Sequence, residues 1–131
     1  ILCDRSLLEQ SDVLWIIPIY GNVSIADYPM WCAEVRALHT TLGMHGVEHT
    51  FREFSITHDA KYIERGIREF EECFGFRPVK FKAPQLALSR ENVVLLKEQG
   101  FEIHGKTGQV MHKVYHCADT GRMRNAWIRF F

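Results

Sequence analysis

Two imidazoles stand at i and i+4 in His45-Gly46-Val47-Glu48-His49, a spacing that lets their ring nitrogens converge on one metal ion. Neutral imidazole is the commonest nitrogen ligand for zinc and its neighbours. Four-residue spacing converges on one face of a helix. It also converges at a strand end that turns sharply, and Gly46 permits such a turn. The same five residues match H-x-x-E-H, the inverted zinc-protease motif, whose glutamate acts as general base from a helix. Gly46 is a poor helix residue, so an extended segment with Glu48 pointing away from the two rings is expected instead. His112 and His116 repeat the four-residue spacing in a weakly patterned region. His104 is expected at a strand end, and His39 and His58 are expected to face solvent.

These residues need a frame, and the chain reads as alternating strands and helices. Residues 13–20 form a continuous apolar run, Val-Leu-Trp-Ile-Ile-Pro-Ile-Tyr, as in a strand buried on both faces. Pro18 predicts an end or a bulge there. Asp27 and Pro29 predict the start of a helix through Trp31, Val35 and Leu38 that stops at Gly43. A strand is then expected within residues 44–50. Thr57 is expected to cap a second helix with Ile63, Ile67, Phe70 and Phe74 on one face, ended by Gly75. Residues 79–82 predict a short strand, Ser89 a cap for a third helix closed by Gly100, and residues 101–104 a fourth strand. Val114-Tyr115 could form a fifth. Strands and helices in this alternation imply one α/β domain over residues 1–131, with a parallel sheet and right-handed crossovers, either open or part of a barrel.

Composition narrows the function classes. The chain is 47% hydrophobic and 24% charged, an ordinary globular composition rather than a disordered one. Sixteen basic and sixteen acidic side chains cancel, so no overall positive field draws in nucleic acid or an anionic membrane. No apolar run approaches the ~18 residues of a membrane-spanning helix. Cys3, Cys32, Cys73 and Cys117 form no CxxC pair, which argues against a cysteine zinc site. Four buried free thiols are expected, favouring a reducing, cytoplasmic setting.

Around the histidines the sequence resembles the polysaccharide deacetylase (NodB-homology) family. That family carries a histidine pair in an H-[ST]-x-x-H or H-G-x-x-H setting and, further on, a G-x-x-P-x-x-F-R-x-P segment. Here His45-Gly46-Val47-Glu48-His49 is followed by Gly75-Phe76-Arg77-Pro78-Val79-Lys80-Phe81-Lys82-Ala83-Pro84, with Lys82 in place of the arginine. The glycine before the next strand is matched by Gly100-Phe101. The resemblance covers residues 13–104. It implies a partial, distorted β/α barrel in which His45 and His49 hold a divalent metal, usually zinc. The activity it implies is hydrolysis of an acetyl group from a carbohydrate or a related small amide. Lys82 would orient the catalytic carboxylate, and His116 would protonate the departing amine. From its place between the rings in an extended segment, Glu48 is expected to support the ligands from behind or to serve structure alone.

The chain departs from the family in one large respect. The family's aspartate pair, base and metal ligand, belongs to a βα unit ahead of the second strand, whereas here only twelve residues precede Val13. The chain starts at Ile1 and ends on the apolar Trp127-Ile128-Arg129-Phe130-Phe131. Both ends read as cuts through a larger unit, so self-association or residence in a longer polypeptide is expected. A non-catalytic remnant that binds a carbohydrate or a protein partner is the alternative in another class.

Overall fold

The computed structural model describes residues 5–105. Cys3, Asp4, His112, His116, Cys117 and the strand expected at Val114-Tyr115 lie outside these residues. After a short helix α1 (Arg5–Glu9), strand β1 (Val13–Ile16) stops before Pro18, which has no amide hydrogen to continue a ladder. A two-stranded antiparallel hairpin, β2 (Ile19–Tyr20) and β3 (Val23–Ser24), follows. The later elements are α2 (Pro29–Ala37), β4 (Thr41–His45), α3 (Ala60–Phe74), β5 (Lys80–Lys82), α4 (Arg90–Glu98) and β6 (Glu102–His104).

Strands β1, β4, β5 and β6 form one parallel sheet in that spatial order. The alternation expected from the sequence is therefore present, with shifted boundaries: the strand expected within residues 44–50 begins earlier and runs over Thr41–His45. Helix α2 ends at Ala37 instead of Gly43, and Asp27 closes a 3-10 turn rather than capping the helix. Gly43 is a strand residue opposite Trp15. A Cβ at position 43 would stand 2.4 Å from Trp15 Cζ3. This glycine makes room for an indole lying across the sheet; it does not stop a helix. Helix α3 is capped by Asp59, whose carboxylate accepts from Tyr62 N at 2.9 Å, not by Thr57. Gly75 closes it in the left-handed conformation, and Ser89 caps α4, as expected.

The register explains where the core lies. Leu14 and Ile16 pair with Leu42 and Met44, and Met44 continues to Phe81 and Ile103. Residues paired in a sheet share a face, so these six share one face. Against it pack Val35 of α2, Ile63, Ile67, Phe70 and Phe74 of α3, and Leu96 of α4. Each such buried side chain contributes roughly 1.5–3 kcal/mol. All three crossover helices thus cover the same side. The opposite face carries Trp15, Gly43, His45, Lys82 and His104 by the same alternation.

The thiols do not all remain free. Cys32 of α2 and Cys73 of α3 form a disulfide with Cα atoms 5.4 Å apart. This corrects the expectation of four free thiols and removes the ground for a reducing, cytoplasmic setting. Spacing alone could not reveal the pair, because helix packing brings together residues 41 apart in sequence. Among the described residues, no helix is long and apolar enough to cross a membrane.

Candidate functional site

His45 is the last residue of β4, at the carboxyl edge of the sheet. Parallel pairing places it beside Lys82, and Lys82 beside His104. In parallel α/β folds this edge is where strands hand their side chains to the chemistry. His45 is buried, and its Nδ1 donates to the Lys82 carbonyl oxygen at 2.9 Å. A carbonyl can only accept, so the bond places the proton on Nδ1. The lone pair is then on Nε2, the tautomer that suits a metal ligand held by a backbone carbonyl.

The chain turns immediately after His45. Gly46 is left-handed, with φ of 67°, and His49 is left-handed too, with φ of 56°. The turn returns the second imidazole to the first: the rings of His45 and His49 lie 4.8 Å apart between centroids, at 62°. Two imidazoles that bind one zinc through nitrogens at about 2.0–2.1 Å hold their centroids about 5 Å apart. The structure therefore brings the predicted pair together. The segment is not helical, so it lacks the geometry that H-x-x-E-H needs to serve as a protease base. Glu48 is engaged elsewhere, by the Arg65 guanidinium and by the Tyr62 hydroxyl at 3.2 Å.

No protein-family model and no curated protein matches the chain.

What holds the turn is a residue that the sequence pattern does not mark. Glu53 is 2% exposed. Its Oε1 accepts from the amides of Val47 and Glu48 at 2.9 and 2.8 Å, and its Oε2 accepts from His49 N at 3.1 Å. The Tyr62 hydroxyl donates to Oε1 at 2.6 Å. Burial, followed by the bond to Glu53, pushes the Tyr62 phenol well above its ordinary range. A Cβ at Gly46 would meet Glu53 Oε2 at 2.2 Å, so only glycine allows the carboxylate this close.

A second clamp follows. Asn92 of α4, fully buried, donates through Nδ2 to the carbonyls of Phe54 and Ile56 at 2.8 and 2.6 Å. Its Oδ1 accepts from His58 N at 3.0 Å. His58 is half-buried, stacks on Tyr62 at 3.9 Å, and donates through Nε2 to the Glu53 carbonyl at 2.7 Å. It precedes α3 and does not face solvent as expected. His39, in contrast, is exposed as expected.

Lys82 is 5% exposed, and burial pulls its ammonium down to about 8. Its Nζ lies 5.9 Å from the centre of the Trp15 ring, within the range of a cation–π contact. His104 borders the same indole at 5.1 Å, and its Nε2 lies 2.8 Å from Glu102 Oε1. Arg77 donates to the carbonyl and side-chain oxygens of Gln99. Among the described residues, no group of three or more His, Cys, Asp or Glu side chains is close enough to hold a metal. Among the described residues, the imidazoles that converge at this edge are those of His45 and His49, with Lys82 next to them.

Proposed function

We propose that the chain is a section of a β/α barrel of the polysaccharide deacetylase type. In this reading His45 and His49 hold a divalent metal, zinc in the first instance. The parent activity is removal of an acetyl group from a carbohydrate or a related small amide. The bond from His45 Nδ1 to the Lys82 carbonyl carries the proposal, because it turns the ring's lone pair into a ligand's role beside a second imidazole 4.8 Å away. The sequential strand order, with every crossover helix on one face, supports a barrel wall.

A bound zinc would polarise the acetyl carbonyl and lower the pKa of a coordinated water. The chain's own residues have separate tasks. His45 is kept in one tautomer, and His49 is held by the turn. Lys82 puts a positive charge at the strand end, where the family's arginine orients a carboxylate. A lysine supplies that charge as a point and not as a two-pronged fork. The proton for the departing amine falls to His116, outside the described residues.

Lys82 in place of the family's arginine, a point charge without the two-pronged fork, favours a second reading: a non-catalytic remnant that binds carbohydrate or a protein partner through this edge. Zinc titration of the purified chain, with His45→Ala and His49→Ala, separates the readings when joined to acetate release from an N-acetylated oligosaccharide. Binding at micromolar zinc that both substitutions abolish, together with acetate release, supports the hydrolase. Histidine-dependent binding without acetate supports the remnant. No zinc bound at micromolar concentration refutes the metal site.

A further inference from the structure

We infer that Glu53 is the positioning residue of the histidine pair: it holds the imidazole of His49 against that of His45 by gathering three consecutive amides onto one buried carboxylate. Its four bonds reach Val47, Glu48 and His49 through their backbone nitrogens, and Tyr62 through its hydroxyl. Three successive N–H groups aimed at one anion form a concave nest. Hydrogen bonds to a charged acceptor are roughly twice as strong as neutral ones. The interaction offsets a cost that is visible in the backbone. His49 is left-handed, with φ of 56°, a region in which the Cβ of a non-glycine residue crowds the following carbonyl oxygen.

The chain also gives up side-chain volume for this contact. Gly46 admits the carboxylate where any Cβ would stand 2.2 Å from Oε2. Tyr62 anchors the same oxygen to α3, which packs in the apolar core through Ile63. Glu53 thereby ties the turn after β4 to the rigid body of the fold. It acts on His49 through the main chain, by the bond from His49 N to Oε2.

The geometric claim stands without a metal, and only its effect on affinity rests on the proposed metal site. Nuclear Overhauser spectra of the metal-free chain should show a cross-peak between the His45 and His49 rings. Glu53→Gln, which turns one acceptor into an amide donor facing backbone N–H groups, should abolish it. Phe74→Leu, a core change remote from the turn, should lower stability and keep it. Tyr62→Phe, which removes a single bond to the carboxylate, should speed amide exchange at Val47, Glu48 and His49 even if Glu53→Gln does not fold. In cobalt(II) titrations Glu53→Gln should bind about 10–100-fold more weakly than the parent chain.

A cross-peak retained in Glu53→Gln, lost equally in Phe74→Leu, or amide exchange unmoved by Tyr62→Phe would overturn the inference. If the parent chain binds no cobalt and Glu53→Gln still loses the cross-peak, the positioning role is supported and the metal reading alone fails.

Discussion

The Nδ1 of His45 donates to the main-chain carbonyl of Lys82, its lateral neighbour in the sheet, at 2.9 Å. Because the acceptor is backbone, the bond does not depend on what the Lys82 side chain is. Lys82→Met is therefore expected to leave His45 protonated on Nδ1 at neutral pH, as in the parent chain. Long-range 15N–1H correlation spectra report the tautomer directly. Protonation on Nε2 in either protein would contradict the arrangement.

The Lys82 side chain should instead be seen in the pH dependence of stability. Burial lowers its folded pKa from 10.5 to about 8. Between those values the unfolded chain binds more protons than the folded one, so unfolding free energy rises with pH across that window. Below it both states carry the charge, and the cost of burying the ammonium is constant. Urea titrations at about pH 8 and about pH 10 should show the rise in the parent chain and its absence in Lys82→Met.

The Cys32–Cys73 link closes a loop between residues 41 apart. Chain-entropy arguments assign such a loop about 4 kcal/mol of stability. Urea unfolding with and without a reductant should differ by about that amount, and Cys32→Ser should match the reduced chain. Equal midpoints would mean that the link does not form in solution.

Asn92 is fully buried and makes three bonds to the segment that leads into α3. Asn92→Ala would take the side-chain partner from the Ile56 carbonyl and the His58 amide, while the Phe54 carbonyl keeps its bond from Ser89 N, at a cost of about 2–3 kcal/mol. Chemical denaturation measures this. A loss below about 1 kcal/mol would show that water replaces the side chain without difficulty.

Gly43 tests the close approach of the indole. With a Cβ 2.4 Å from Trp15 Cζ3, Gly43→Ala should cost about 1–3 kcal/mol by overpacking. It should also red-shift tryptophan fluorescence as the ring lifts from the sheet. An unchanged spectrum would refute the contact.

Much of the frame was legible because it is written locally. The stripe of Ile63, Ile67, Phe70 and Phe74, the Ser89 cap and the Gly75 stop each need only a few neighbouring residues to be read. The i and i+4 histidines were legible for the same reason. Gly43 was misread because its reason, the Trp15 ring, lies on another strand. Glu53 and Asn92 were invisible for a related cause: an acid or an amide within an unpatterned stretch gains meaning only from the backbone groups it meets after folding. The disulfide and the burial of His58 likewise depend on which surfaces of α2, α3 and the loops come together.

The alternation along each strand has one further consequence. Met44 precedes His45, Phe81 precedes Lys82, and Ile103 precedes His104, so every polar residue at the sheet's edge adjoins an apolar anchor on the opposite face. The two sets are locked in phase. One extra residue inserted within Thr41–His45 would rotate His45 toward the oil-like side and Met44 out to the lip. Drift in this protein can therefore exchange one side chain for another at the edge, but cannot slide a strand without losing chemistry and fold together.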